Sequence, residues 1–112
     1  MPDSAPSPAG PARSPIDVAV LGATGMVGEQ LLALLADHPW FRVAEVAASE
    51  RSAGHTLAQR LGAAARDLPR SMRELTLSSL DGEFRSPLVL SALPADAARE
   101  VEPRLATAGH LV

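Results

Sequence analysis

The segment VAVLGATGMVGEQLLALL, Val18 to Leu35, joins an apolar run to a run with helical periodicity through a turn that contains three glycines. These are Gly22, Gly25 and Gly28. Ordered glycine loses more backbone entropy than any other residue, so a cluster of glycines at one junction indicates a place from which side chains are excluded. The pattern predicts that a ligand or a neighbouring piece of backbone comes close to the chain here.

The residues around this turn predict a strand, a helix and a second strand. Ile16 to Leu21 is a short apolar run that ends at a glycine, as buried strands do. Apolar residues then recur at helical spacing from Met26 to Asp37, with Thr24 as the expected N-cap and Pro39 as the stop. Phe41 to Ala48 predicts the second strand.

The rest of the chain continues the alternation of strands and helices. HTLAQRLGAA (55–64) predicts a short helix, RELTLSSL (73–80) a minor strand, and Leu88 to Leu93 a further strand. A helix is expected over Asp96 to Ala108, and HLV (110–112) reads as the start of another strand. Alternation of this kind predicts an α/β fold with a Rossmann-like parallel sheet. Because the pattern stops in mid-alternation, we expect the chain to be the truncated first part of a larger domain.

The net charge and the lack of cysteine limit which partners the chain is expected to bind and which reactions it is expected to catalyse. A net charge of −3 and a pI near 5.5 argue against nucleic acid or an anionic membrane as the main partner. The chain has no cysteine, and its three histidines lack metal-ligand spacing, so we expect no metal site and no cysteine nucleophile. Neither a secretory signal nor a membrane-length apolar run is present, which leaves the cytoplasm as the expected compartment.

Two regions are expected along the chain. Met1 to Pro15 is rich in Pro, Ala and Ser and predicts a disordered leader. Residues 16–112 then form the N-terminal part of one domain.

A strand, a glycine turn and a helix together make an anion site. The first amides of a helix have no partner within the helix, and the helix dipole favours negative charge at that end. Gly22 would permit the tight turn, Gly25 the approach of a diphosphate to bare backbone, and Gly28 close packing of helix on strand. The spacing is GxxGxxG, not GxGxxG, so three packing glycines in an ordinary βαβ turn remain an alternative.

The loop after the second strand bears on the choice of dinucleotide. Its sequence is ASERSAG (48–54). An acidic residue here favours NAD by holding the ribose 2′-hydroxyl, whereas NADP needs cationic and hydroxyl donors. Arg51 can form a bidentate contact with a phosphate, and Ser49 and Ser52 can donate hydrogen bonds. Glu50 supports NAD instead, so the loop favours NADP without excluding NAD.

Two long stretches carry a family resemblance. GATGMVGEQLLALLADHPWFRVAEVAASERSAG (22–54) resembles the N-terminal cofactor region of aspartate-semialdehyde dehydrogenases, especially the archaeal and fungal branch. LVLSALPADAAREVEPRLATAGHLV (88–112) is similar to the next strand, turn and helix of that family. The resemblance implies a diphosphate on the backbone of Thr24, Gly25, Met26 and Val27, the 2′-phosphate at Arg51 and Ser52, and the nicotinamide ribose beside Ser91, Ala92, Leu93 and Pro94.

The resemblance also implies an activity that this chain cannot complete. The family reduces β-aspartyl phosphate to aspartate semialdehyde with NADPH, using a cysteine nucleophile, a histidine acid/base and substrate-binding arginines. In the family these residues lie beyond the position matched by Val112. We therefore expect no catalytic residue in these 112 residues. A small-molecule substrate, and the homo-oligomer typical of the family, are expected only for a full-length enzyme.

Some features depart from the family, and other functions stay open. His55 stands where the family often has lysine, and Ser86 and Pro87 stand where it tends to have an acidic residue. Related acyl reductases, such as those acting on malonyl-CoA or N-acetyl-glutamyl phosphate, share the glycine turn. A non-catalytic nucleotide-binding module is the alternative from a different class.

Overall fold

The structure is a computed structural model that describes residues 14–112. The first thirteen residues, and with them most of the expected leader, lie outside the described residues. The strands are β1 (Ile16–Leu21), β2 (Phe41–Ala48), β3 (Leu77–Ser79) and β4 (Leu88–Ser91). The helices are α1 (Met26–Leu35), α2 (Leu57–Leu61), α3 (Arg70–Arg73) and α4 (Ala95–Thr107), with a 3-10 turn at Gly62–Ala65.

The four strands form one parallel sheet in the order β3-β2-β1-β4, which confirms the predicted Rossmann-like α/β fold. Strand β1 lies inside the sheet, and residues 18–21 have no exposed surface. Val18 and Val20 pack with Leu32 of α1, whereas Ala19 and Leu21 pack with the buried side chains of α4. Alternate residues of a strand face opposite sides, so the sheet carries helices on both of its faces.

A bulge in β2 adjusts which side chains reach each face. Val18 pairs with Val43 but Ala19 pairs with Glu45, so one residue of β2 is left over between them. The shift lets Val43 and Val46 join the same apolar cluster although they are three residues apart. It also places Glu45 where its carboxylate reaches the connection that leads into β4.

The side-chain carboxylate of Glu45 holds that connection through the backbone amides of the connection itself. One carboxylate oxygen accepts the amide N–H groups of Arg85 at 2.9 Å and of Ser86 at 2.8 Å, and the Ser86 hydroxyl donates to it at 2.7 Å. Ser86 is buried, and Phe84, two residues before it, is 7% exposed in the cluster under α4. The carboxylate thus fixes the start of β4. The other end of β4 borders a crevice at the carboxyl ends of the strands.

Several predicted boundaries require correction. Gly25, not Thr24, is the N-cap of α1, and no side chain caps this end of the helix. Helix α1 ends at Leu35, two residues early, because Ala36 leaves the helical conformation with a ψ of 126°, and Asp37 follows with a left-handed φ of 58°. Strand β4 ends at Ser91 instead of Leu93, and the four-residue helix α3 was not predicted.

Other expectations are confirmed. Strands β1 and β2 have the predicted bounds, and the short helix and minor strand of the middle segment are present as α2 and β3. Leu111 forms a parallel bridge to Leu88, as expected of a segment that starts a further strand. Within residues 14–112 no helix is long and apolar enough to cross a membrane.

Candidate functional site

The sheet order places a crevice at the carboxyl ends of β1 and β4. From β1 the chain moves outward through β2 and β3, and then returns to the other side of β1 as β4. Open α/β sheets bind ligands at such a reversal of strand order, outside the carboxyl ends of the strands. Leu21 and Ser91 are register partners at this end, and Leu21 is followed directly by the glycine turn.

Gly22 allows the ends of the two strands to come together. Its φ is 74°, a left-handed conformation that side-chain-bearing residues rarely adopt. A Cβ at this position would lie 2.9 Å from the carbonyl oxygen of Ala92, and the Ala92 amide donates to the Leu21 carbonyl at 2.9 Å. Gly22 therefore joins the turn after β1 to the turn after β4.

Gly28 allows helix α1 to rest on the turn. A Cβ there would lie 2.1 Å from the carbonyl oxygen of Gly22 and 2.9 Å from the Cα of Ala23. Both contacts are with backbone, so only a glycine hydrogen fits between the helix and the turn. Gly22 and Gly28 are thus needed for packing, as expected if these were packing glycines of an ordinary βαβ turn.

Gly25 differs from its two neighbours. A Cβ there would meet only the carbonyl oxygen of Gly22 at 3.5 Å, an ordinary contact, and the φ of −82° is open to any residue. Gly25 is exposed on the outer side of the turn. Packing does not explain this glycine, whereas the approach of a ligand to bare backbone does.

The N-terminus of α1 presents donors without capping partners. The Gly25 amide donates to the Gly22 carbonyl at 3.1 Å, but no side chain caps the helix. The amides of the first helical turn have no intrahelical partner, and the helix dipole adds positive potential there. Met26 and Val27 are 79% and 58% exposed, so ligands have access to this end of the helix. Thr24, which does not cap the helix, is half-buried beside them.

The far side of the crevice contains an unpaired hydroxyl. The Oγ of Ser91 is buried and has no hydrogen-bond partner among the described residues. A buried polar group without a partner costs about 1–3 kcal/mol, so the Ser91 hydroxyl is expected to gain a partner, either a water molecule or a ligand at this end of the strands. Ala92 and Leu93 are half-buried and Pro94 is exposed, and together they form the turn into α4.

The loop after β2 is a compact turn whose outer residues face solvent. The Ser52 amide donates to the Ser49 carbonyl at 2.9 Å, and the Ala53 amide reaches the same carbonyl at 3.2 Å. Ser49, Glu50 and Arg51 are all exposed. An anion that arrives at the end of β2 therefore has access to the Arg51 guanidinium and the Ser49 hydroxyl.

Ser52 is placed differently from its neighbours in the loop. It is 3% exposed, and its hydroxyl oxygen accepts a hydrogen bond at 3.1 Å from the Nε of Arg60. From the sequence, Ser52 is expected to donate directly to the 2′-phosphate of the cofactor, and Arg60 is not expected to take part. The only sequence signal for Arg60 was its position one turn into a predicted helix, eight residues after Ser52.

A second concavity lies on the outer flank of α1. It has a volume of about 440 Å³ and runs between α1 and the segment around Leu61 and Leu68. Its charged lining residues are Glu29 and Asp67, which would repel a diphosphate. Met26 is its one member from the glycine turn. The electrostatics thus favour the crevice at the strand ends for an anionic ligand.

The residues present fit a dinucleotide. The crevice combines an exposed glycine, an uncapped helix N-terminus, a buried hydroxyl without a partner among the described residues, and an exposed arginine in the loop at the end of β2. These features define a dinucleotide-binding α/β domain.

The chain belongs to the family described as semialdehyde dehydrogenase, NAD binding domain, whose model matches residues 17–112. The cofactor class of this domain is accordingly a nicotinamide dinucleotide.

Individual relatives agree with this assignment. The chain is 42% identical over 97 residues to an aspartate-semialdehyde dehydrogenase from Archaeoglobus fulgidus, covering 85% of this chain and 28% of the relative. It is 39% identical over 93 residues to the enzyme of the same name from Saccharomyces cerevisiae, covering 80% of this chain and 26% of that one. The resemblance to the archaeal and fungal branch is therefore confirmed.

Solved structures agree with the fold. Aspartate-semialdehyde dehydrogenase with NADP from Candida albicans superposes with a TM-score of 0.78 at 32% identity, covering 87% of this chain and 28% of that one. A probable aspartate-semialdehyde dehydrogenase from Pseudomonas aeruginosa gives a TM-score of 0.63 at 31% identity, covering 87% and 27%. The chain thus spans a little over a quarter of the length of the relatives it matches.

Proposed function

We propose that this chain is the NADP-binding part of an aspartate-semialdehyde dehydrogenase, an oxidoreductase that converts β-aspartyl phosphate to aspartate semialdehyde in amino-acid biosynthesis. Residues 16–112 are the first part of its dinucleotide-binding domain, and the enzyme acts in the cytoplasm as a homo-oligomer. The observation that carries the proposal is the uncapped N-terminus of α1, which lies at the strand reversal beside β4. The names of the archaeal and fungal relatives favour this substrate over those of other acyl reductases.

Each part of the crevice has a role in holding the cofactor. The backbone from Thr24 to Val27 binds the diphosphate, because its amides point out of the helix and Gly25 leaves room above them. Residues 91–94 border the nicotinamide ribose, where the Ser91 hydroxyl gains the partner it lacks within the chain. Arg51 binds the adenosine 2′-phosphate. When bound in its reduced form, the cofactor supplies the hydride for the reduction.

The substrate chemistry needs groups that these residues do not supply. A thiolate nucleophile attacks the acyl carbon in this type of reaction, and the chain has no cysteine. We therefore assign the chain the tasks of binding and orienting the dinucleotide. The nucleophile, the acid/base and the substrate-binding arginines belong to the remainder of the full-length enzyme.

The cofactor preference is tested by Arg51→Ala. The 2′-phosphate carries about two negative charges near neutral pH, and a hydrogen bond to a charged group contributes roughly 1.5–3 kcal/mol. The variant should therefore bind NADPH about 10- to 150-fold more weakly than wild type. Binding of NADH, which has no phosphate there, should hardly change. Dissociation constants from fluorescence titration of both cofactors give the comparison.

Two further variants sharpen this test. Glu50→Ala should leave NADPH binding unharmed or slightly improved, since a carboxylate beside the phosphate repels it. Arg42→Ala is the charge control, because Arg42 pairs with Asp17 at the opposite, amino end of the strands. Equal losses of NADPH and NADH binding in Arg51→Ala would contradict an NADP-specific role for the arginine.

A further inference from the structure

We infer that Arg60 is a second cation of the adenosine 2′-phosphate pocket and that Ser52 acts through it as a positioning residue. The inference rests on the proposed NADP-binding function and deepens it. The geometry that carries it is the hydrogen bond from the Arg60 Nε to the Ser52 Oγ at 3.1 Å. This contact joins helix α2 to the turn that bears Arg51.

Because of this hydrogen bond, Arg60 rather than Ser52 is the residue that can contact a ligand. Ser52 is 3% exposed, so its hydroxyl is largely withdrawn from solvent, whereas Arg60 is an exposed residue. The Nε–H of Arg60 is used on Ser52, which leaves the two terminal nitrogens of the guanidinium for another acceptor. These terminal N–H groups are the ones that bind a phosphate in bidentate fashion.

The charge of Arg60 has no partner within the described part of the chain. Among residues 14–112, the ion pairs are those of Arg42, Arg70 and Arg99, and none involves Arg60 or Arg51. An exposed arginine without a carboxylate partner is ordinary by itself. Arg60, fixed by its Nε, and Arg51, which has no ion-pair partner among residues 14–112, together outweigh the single negative charge of Glu50 in the turn and make a local anion site.

The backbone on both sides of this contact is firmly held. Thr56 and Gln59 form a reciprocal capping box at the start of α2, one residue before Arg60. The Gly54 amide donates to the Leu77 carbonyl at 2.9 Å, and the Leu77 amide donates to the His55 carbonyl at 2.8 Å. The turn and the helix therefore form one unit with β3, and Arg60 is preorganised for binding.

Direct measurement uses two nucleotides that differ only by the phosphate, 2′,5′-ADP and 5′-AMP, titrated into the whole chain by calorimetry. Arg60→Ala should weaken 2′,5′-ADP binding by about tenfold or more, as expected when a charge-assisted hydrogen bond is lost. Binding of 5′-AMP should be unchanged. Arg42→Ala, which removes a positive charge at the far end of the sheet, should affect neither nucleotide by more than a small factor.

Ser52 is tested through its coupling to Arg60. Ser52→Ala should lower the preference for 2′,5′-ADP over 5′-AMP by a smaller factor than Arg60→Ala does. In the Arg60→Ala background it should cause no further loss, because a positioning residue has nothing left to position. Arg60→Gln, which keeps the side-chain length and removes the charge, should reproduce the loss in a folded protein as judged by circular dichroism.

The results of these titrations distinguish the proposed NADP-binding function from the proposed roles of Arg60 and Ser52. If wild type does not prefer 2′,5′-ADP, the proposed NADP function fails. If wild type prefers it but Arg60→Ala and Arg60→Gln keep the full preference, the NADP function stands and the role of Arg60 is overturned. Independent, additive losses from Ser52→Ala and Arg60→Ala would overturn the positioning role of Ser52.

Discussion

Replacement of Gly28 by alanine is expected to unfold the junction between α1 and the glycine turn. The added Cβ would lie 2.1 Å from the Gly22 carbonyl oxygen and 2.9 Å from the Ala23 Cα, whereas ordinary contact begins at 3.4 Å. Since both neighbours are backbone, no side chain can rotate away. The helix must move by more than about 1 Å from the sheet, and doing so would loosen its buried Leu32 and Leu35.

The size of the effect follows from two opposed terms. Overpacking of this kind costs about 1–3 kcal/mol, and occasionally more. Alanine has a higher helix propensity than glycine, which stabilises the helix by at most about 1 kcal/mol. Because the clash is so short, we expect a cost near the upper limit of that range and a net loss of about 2 kcal/mol. In a domain of this size each kcal/mol lowers the midpoint of thermal unfolding by about 4–8 °C.

Gly25→Ala is the matched control in the same turn. Its Cβ would meet one atom at 3.5 Å, and its backbone is extended, so the unfolding free energy should stay within about 1 kcal/mol of wild type. The methyl group would instead stand where the diphosphate approaches, and dinucleotide affinity should fall about tenfold or more. Urea denaturation followed by circular dichroism measures stability in both variants. Equal stability of Gly28→Ala and Gly25→Ala would show that helix α1 does not pack closely on the turn at Gly28.

Three further predictions concern β4 and the missing chemistry. Glu45→Gln should cost about 1–2 kcal/mol of unfolding free energy, because glutamine is uncharged and its NH2 group would face the Arg85 N–H that the second carboxylate oxygen accepts at 3.1 Å. The exposed Glu74→Gln should change stability by less than about 0.5 kcal/mol, and similar losses in both variants would contradict the anchoring role of Glu45. Ser91→Ala should raise stability by up to about 1 kcal/mol while weakening dinucleotide binding severalfold, and a variant unchanged in both measurements would count against a ligand contact. The purified 112-residue chain should show no NADPH-dependent reduction of β-aspartyl phosphate, and turnover above background would exclude the proposed division of labour.

The sequence predicted best those elements that local patterns define. Strands β1 and β2 were predicted to the residue, because both are mainly apolar, β1 lies between Pro15 and Gly22, and β2 begins soon after Pro39 and ends at a polar loop. The glycine turn was recognised from its spacing together with the strand before it and the helix after it. Its three glycines could be assigned separate roles only once the distances to neighbouring backbone were known.

What the sequence did not reveal depends on contacts between distant residues. Thr24 has the chemistry of an N-cap, yet the tight turn at Gly22 makes Gly25 the residue that precedes the helix. The bulge in β2 is a matter of register with β1 and leaves no local pattern. The hydrogen bond between Ser52 and Arg60 forms because α2 folds back over the loop, which neither residue type indicates.

The central claim is that the N-terminus of α1 binds the diphosphate of a nicotinamide dinucleotide. Its most direct test is a titration of the ¹⁵N-labelled chain with NADP⁺, followed by the backbone amide signals in nuclear magnetic resonance spectra. We expect the largest shifts on Gly25, Met26 and Val27, with smaller shifts at Arg51 and Ala92. Shifts confined to the groove beside Glu29 and Asp67, with the amides of the glycine turn unmoved, would contradict it.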